Sequence, residues 1–118
     1  MKDQELELAG IDVQDMMARF MNNAKLAKMI VGKFLQDQTY ANLCQAIARE
    51  DRKQAEFYCH TLKGVCGNLS LKKLFGLLVE QLRLFRAGEY DQAVAMMEEI
   101  SACYEVATRH LTLWLAQE

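Results

Sequence analysis

The chain contains no proline. No position is therefore barred from a helix interior by a missing backbone donor. The abundance of Leu, Ala, Met, Glu, Lys and Gln favours helices throughout. Long apolar runs are also missing. Stretches such as Leu77-Leu78-Val79 fall far short of the roughly 18 uncharged apolar residues of a membrane span. The N-terminal Met-Lys-Asp-Gln-Glu-Leu-Glu is too acidic and polar for a signal peptide, so a cytoplasmic location is expected. There is no basic excess: the formal net charge is −2, which argues against a nucleic-acid partner. Cys44, Cys59, Cys66 and Cys103 show no C-x-x-C spacing. They lie in apolar helical patterns and read as small buried hydrophobes in a reducing compartment.

What is present is an ordinary globular composition, 52% hydrophobic and 25% charged over 118 residues, enough for one domain with a real core. Residues 1–9 read as a polar lead-in and 10–118 as a single domain. Asp12 is placed to cap a short helix over about 13–21, and Asn23 one over about 24–36 with Leu26, Ile30 and Phe34 at helical spacing. Thr39 is expected to cap a third helix over about 40–50. Asp51, with Gln54 three residues on, is expected to cap a fourth that runs to about 68. Ser70 is the expected cap of a fifth over about 71–87, ended by Gly88. A sixth fills about 90–116, with Ala93, Met97, Ile100, Tyr104, Ala107, Leu111 and Trp114 spaced by four and three as in a bundle seam. Short turns between amphipathic helices make neighbours antiparallel. The pattern predicts an all-α fold: an up-and-down four-helix bundle with short additional helices at the N-terminal end.

The segment Cys59-His60-Thr61-Leu62-Lys63-Gly64-Val65-Cys66-Gly67 stands out inside the fourth helix. Each interior glycine there costs about 1 kcal/mol relative to Ala. On a wheel at about 100° per residue, Tyr58, Leu62, Val65 and Leu69 gather opposite His60 as the core face. Glu56, Lys63, Gly64 and Gly67 surround His60 on the solvent side, with Phe57 about 60° away. Glycines on the histidine's face bare the backbone, so a bulky surface can approach the imidazole. Imidazole is in large part neutral and nucleophilic near pH 7, and Lys63 adds a flexible point charge suited to a phosphoryl oxygen. Nucleophile, cation and cleared approach together suit phosphoryl transfer. The plainer reading of the same residues is a surface histidine, a solvated lysine and two packing glycines.

His60-Thr61-Leu62-Lys63-Gly64, followed by small Cys66 and Gly67, resembles the signature of histidine-containing phosphotransfer (HPt) domains of two-component phosphorelays. The wider helix layout from about Gly10 to Trp114 is similar as well. The resemblance implies that His60 is the phospho-accepting nucleophile, that Lys63 partners the phosphoryl charge and that Gly64 clears the docking path. Glu56, Phe57, Gly67 and Gln81 would lie on a face that docks a receiver domain. It also implies that the phosphoryl group arrives from a receiver aspartate or hybrid sensor histidine kinase and leaves to a response-regulator aspartate. Mg²⁺ would sit in the partner receiver, with no cofactor on this chain and no kinase activity of its own. The expected partners are receiver domains and a hybrid kinase, with no nucleic acid or membrane, and the expected state is a monomer. Cys59 and Cys66 replace the alanine or serine often seen in the signature, and Ser70 stands where a glycine is common. Many members carry a polar residue on the fifth helix facing the histidine. Gln81 is the candidate here, with Leu82 the alternative occupant of that position. The fifth helix is apolar over more than one stripe, as in a buried central helix or one that, with Phe57, offers an apolar docking patch.

Two other functions compete. A non-phosphorylated helical adaptor would need neither His60 nor Lys63. A di-iron bundle would want Glu-x-x-His pairs, but Phe57 and Ala107 occupy the positions three before the two histidines.

Overall fold

Apolar residues at helical spacing, started by capping side chains, build a fold of helices without strands among the residues described. The computed structural model describes residues 6, 7 and 9–116. Its helices are α1 (Val13–Arg19), α2 (Ala24–Leu35), α3 (Thr39–Ala48), α4 (Arg52–Asn68), α5 (Lys72–Arg86), α6 (Tyr90–Ala95) and α7 (Met97–Ala116). α2 and α3 follow one another across a break at 36–38, as α6 and α7 do across Met96. Taken as columns, α2–α3, α4, α5 and α6–α7 make the up-and-down four-helix bundle, and α1 packs across one end. Of the expected lead-in, residues 1–5 and 8 lie outside the described residues. Leu6 and Ile11 are each 1% exposed and belong to the core.

The expected caps hold at three starts. Asp12 Oδ1 accepts the N–H of Asp15 at 3.0 Å, Asn23 Oδ1 that of Leu26 at 3.0 Å, and Asp51 Oδ1 that of Gln54 at 3.1 Å. Each satisfies a donor that the first helical turn cannot. The end of α5 is also as expected. Gly88 takes φ +78°, its N–H donates to Phe85 O, and that of Glu89 donates to Leu84 O at 2.9 Å. This paired closure needs a left-handed residue, which glycine supplies without a side-chain penalty.

Three local expectations are corrected. Thr39 does not cap α3 but is its first residue, and its N–H donates to Asp37 Oδ1 at 2.7 Å. Ser70 does not cap α5. It is buried with φ +57°, and its hydroxyl donates to Asp15 Oδ2 of α1 while Leu71 holds the cap position. The left-handed backbone explains why a glycine would also suit this turn. The sixth helix is not continuous. Buried Gln81 reaches from α5 and donates its amide to Ala93 O at 3.0 Å, beside Met97 Sδ at 3.1 Å. The Met96 N–H turns to the same carbonyl at 3.2 Å. A side chain inserted into the ladder interrupts the helix there.

The core runs through all the columns. Leu43, Ala55, Cys59, Leu62, Cys66, Leu74, Leu78, Ile100 and Leu111 are fully or almost fully buried, each leucine contributing about 1.5–3 kcal/mol by leaving water. Tyr40 of α3 stacks on Tyr104 of α7 with ring centroids 3.9 Å apart, and its hydroxyl donates to Ser101 Oγ at 2.6 Å. The N-terminal segment is laced to the α4–α5 turn. The Asp12 N–H donates to Ser70 O at 2.9 Å and that of Lys73 to Gly10 O at 3.2 Å.

Around Asp15 this lacing is charged. The Ser70 hydroxyl and then the Arg19 guanidinium hold its carboxylate down to about 2 from 3.8. A lowered folded value means its stabilisation is complete above the unfolded carboxylate range near pH 4 and is lost as pH falls toward 2. The melting temperature of the wild type is expected to drop across that window relative to Asp15→Asn; parallel curves would remove Asp15 from the pH response. Asp37→Ala is expected to cost about 1 kcal/mol in urea unfolding and Thr39→Ala less than about 0.5 kcal/mol, and the reverse order would restore Thr39 as the cap.

Candidate functional site

Burial of Ala55, Cys59, Leu62 and Cys66, spaced four, three and four along α4, turns the opposite side of this helix outward. His60 lies on that side and is exposed, as are Lys53, Phe57 and Gly64, while Glu56, Lys63 and Gly67 are partly so. Thr61 lies on the flank and donates its hydroxyl to Phe57 O at 3.1 Å. Phe57 is 57% exposed and edge-on to Tyr58, with ring centroids 5.2 Å apart. Clefts of ≈ 540 and ≈ 450 Å³ are lined by Met96 and Glu99 and by Gly10 and Lys73. Neither includes His60, which stands on an open helix surface suited to a macromolecule rather than a small ligand.

The two glycines of this segment have different reasons to exist. A Cβ built on Gly64 meets nothing within 4 Å, whereas one on Gly67 meets the Phe75 ring at 3.1 and 3.3 Å. Gly67 is therefore a packing glycine that lets α5 come close, and only at Gly64 is the space on the histidine's side open. Among the described residues no contact requires Gly64 to lack a side chain, yet the residue costs the helix about 1 kcal/mol.

Gln81 is not on this face. It is fully buried, its amide turned toward α6 and α7, and its Oε1 has no partner among the described residues. Leu82 is 3% exposed and equally withdrawn. The wheel of the apolar α5 could not separate these two from their neighbours; its exposed stripe is Lys72, Gly76, Val79, Arg83 and Arg86. Val79 is 44% exposed, and Arg86 Nε lies 3.5 Å from Glu56 Oε2, tying this stripe to the His60 face. Sequence reasoning included Val79 in the apolar run of this helix without separating it as exposed, and it did not single out Arg86, although the charged positions that break the run were a usable signal. Gly76 was missed too, and a Cβ there also meets nothing within 4 Å.

The neighbouring thiols are held inert. Cys59 Sγ lies 3.6 Å from Leu78 O, and burial pushes its pKa up to about 12, as it does that of Cys66. A protonated thiol is a poor nucleophile. The second histidine, His110, is half-buried on α7 with Nδ1 2.9 Å from Val106 O. It lies on a different helix from His60, with its ring engaged by its own backbone.

A family model, the Hpt domain, matches residues 32–110. This span includes α3 to α6, most of α7 and the whole His60 segment. No curated protein and no solved structure matches the chain.

The glycine assignment predicts opposite responses to one methyl group. Gly64→Ala is expected to raise stability by about 1 kcal/mol, because the space is open. Gly67→Ala should gain nothing or lose stability, because Phe75 must move. Equal gains in urea unfolding would show that Gly67 is not a packing site.

Proposed function

We propose, for a chain that belongs to the Hpt domain family, that His60 is the phospho-accepting residue of a phosphorelay. The family assignment makes the protein a phosphotransfer carrier rather than a kinase. The finer reading rests on one observation: His60 stands exposed on α4 beside Gly64, whose missing side chain no internal contact requires. The functional unit is the bundle from 10 to 118, taken as one domain.

In this reading a receiver domain bearing an aspartyl phosphate docks on the exposed side of α4. A ring nitrogen of neutral His60 attacks phosphorus, an N–P bond forms, and the P–O bond to the aspartate breaks. The carboxylate leaves with the electron pair, and the proton on the other ring nitrogen passes to solvent. The reverse sequence delivers the group to a second receiver's aspartate. Lys63 makes no ion pair among the described residues, so its ammonium is available to the phosphoryl oxygens. Gly64 admits the rim of the receiver, with Glu56 and Phe57 as contacts beside it. Gly67 acts indirectly, by setting how close α5 lies. Mg²⁺ is assigned to the receiver's acidic pocket. The source is a receiver aspartate, including that of a hybrid sensor kinase, and the destination is a response regulator.

Incubation with a phosphorylated receiver should place acid-labile, base-stable label on the wild type and none on His60→Gln. Equal labelling of that variant would end the assignment. Gly64→Gln should slow transfer by about tenfold or more through obstruction, and Lys63→Ala should slow it by about tenfold through lost charge stabilisation, both with unchanged helical content. A wild-type rate in either variant removes that residue from the mechanism.

A further inference from the structure

The chain as a whole is slightly acidic, but its charge is divided. Residues 52–86, the α4–α5 hairpin, carry seven Lys and Arg against two Asp and Glu, and the remainder carries seven against fourteen. The two acidic residues of the hairpin are both engaged. Glu56 lies 3.5 Å from Arg86, and Glu80 is held by Arg83 at 2.6 Å. Lys53 and Lys63 bracket His60 along α4 and have no ion-pair partner among the described residues. By helical geometry both fall within about 60° of His60 on the wheel. On α5 the exposed stripe adds Arg83 and Arg86, whose side chains are 61% and 54% exposed. Arg83 and Arg86 answer the two carboxylates just named, so the excess positive charge of this face rests on Lys53 and Lys63.

We propose that the α4–α5 face selects receiver domains with an acidic docking surface, and does so by speeding and orienting their arrival rather than by tightening the docked complex. The proposal rests on the phosphorelay reading for the identity of the partner, and on the charge division for its chemistry. Exposed cations contribute little to an equilibrium in water, because solvent and salt screen each pair. Their summed field still acts on an approaching partner and can raise association rates by about 10–1,000-fold. The acidic remainder repels the same partner from the other sides, so an encounter begins with His60 forward.

The test uses two receiver domains charged with acetyl phosphate, one rimmed by acidic and one by basic residues around its aspartate. With the wild type, the second-order transfer rate for the acidic receiver should fall about tenfold between about 20 and about 300 mM NaCl. For the basic receiver it should stay level or rise. The pair Lys53→Glu and Arg83→Glu should slow the acidic receiver about tenfold at low salt and converge with wild type at high salt, with dissociation within about twofold and label at saturation unchanged. The pair Lys25→Glu and Arg109→Glu, off this face, should change nothing. If the first pair does not fold, Lys53→Gln alone should give the same direction. A salt-independent rate, an equal loss in the control pair, or an effect confined to dissociation overturns the proposal. Receiver binding is followed in parallel by fluorescence anisotropy. If neither receiver labels the wild type but the acidic one still binds with this salt dependence, the relay reading fails and the surface stands. If binding shows no preference, the surface fails. Tighter binding to duplex DNA than to the acidic receiver, or self-association in sedimentation at low salt, would give the face another occupant and overturn it.

Discussion

The burial of one side of α4 against α5 is the constraint on which the rest depends. Ala55, Cys59, Leu62 and Cys66 are withdrawn from water together, and a helix that buries one stripe must present the opposite one. His60 is exposed because it lies away from that buried stripe. Gly67 against the Phe75 ring lets α5 lie close alongside, and Arg86 reaches across to Glu56 at the surface. The outward surface of two helices is thereby held as one platform. A reactive side chain on such a platform needs no pocket, because its partner supplies the other wall. This division of labour fits a carrier whose chemistry is completed by each protein it meets.

Much of this was legible in the sequence, for physical reasons that can be named. Caps and left-handed turns are decided by a few adjacent residues, so Asp12, Asn23, Asp51 and Gly88 could be read directly. The exposed side of α4 follows from helical periodicity, but its buried stripe runs through Ala55, Cys59, Leu62 and Cys66, whereas Tyr58 and Val65, expected in the core face, are only partly buried. Thr39 was a local misreading, since the capping oxygen belongs to Asp37 two residues earlier; the other errors share a different cause. Ser70, Gln81 and Gly67 each answer to an atom that arrives from a different helix: the Asp15 carboxylate, the Ala93 carbonyl and the Phe75 ring. Local pattern gives no account of such visitors. Gln81 illustrates this most directly. A polar residue in an apolar helix invites a functional reading, yet here it seals a carbonyl at the break between α6 and α7.

The glycines divide along the same line. Gly67 has its reason inside the fold, and Gly64 has none there. In the proposed reading, the helix cost that Gly64 carries is answered by the receiver that docks there. The sequence showed that both glycines lie on the histidine's side, but only the packing around them showed that Phe75 lies against one and open space against the other.

The thiol of Cys59 carries a consequence for fidelity. It is covalently next to His60, and sulfur is intrinsically the stronger nucleophile once ionised. Burial in contact with Leu78 O keeps it protonated far above physiological pH, and points it away from where a phosphoryl group would rest. The fold thus does more than expose an imidazole. It silences the thiol of the adjacent residue, so that in the proposed reading a phosphoryl group handed to this helix has a single address.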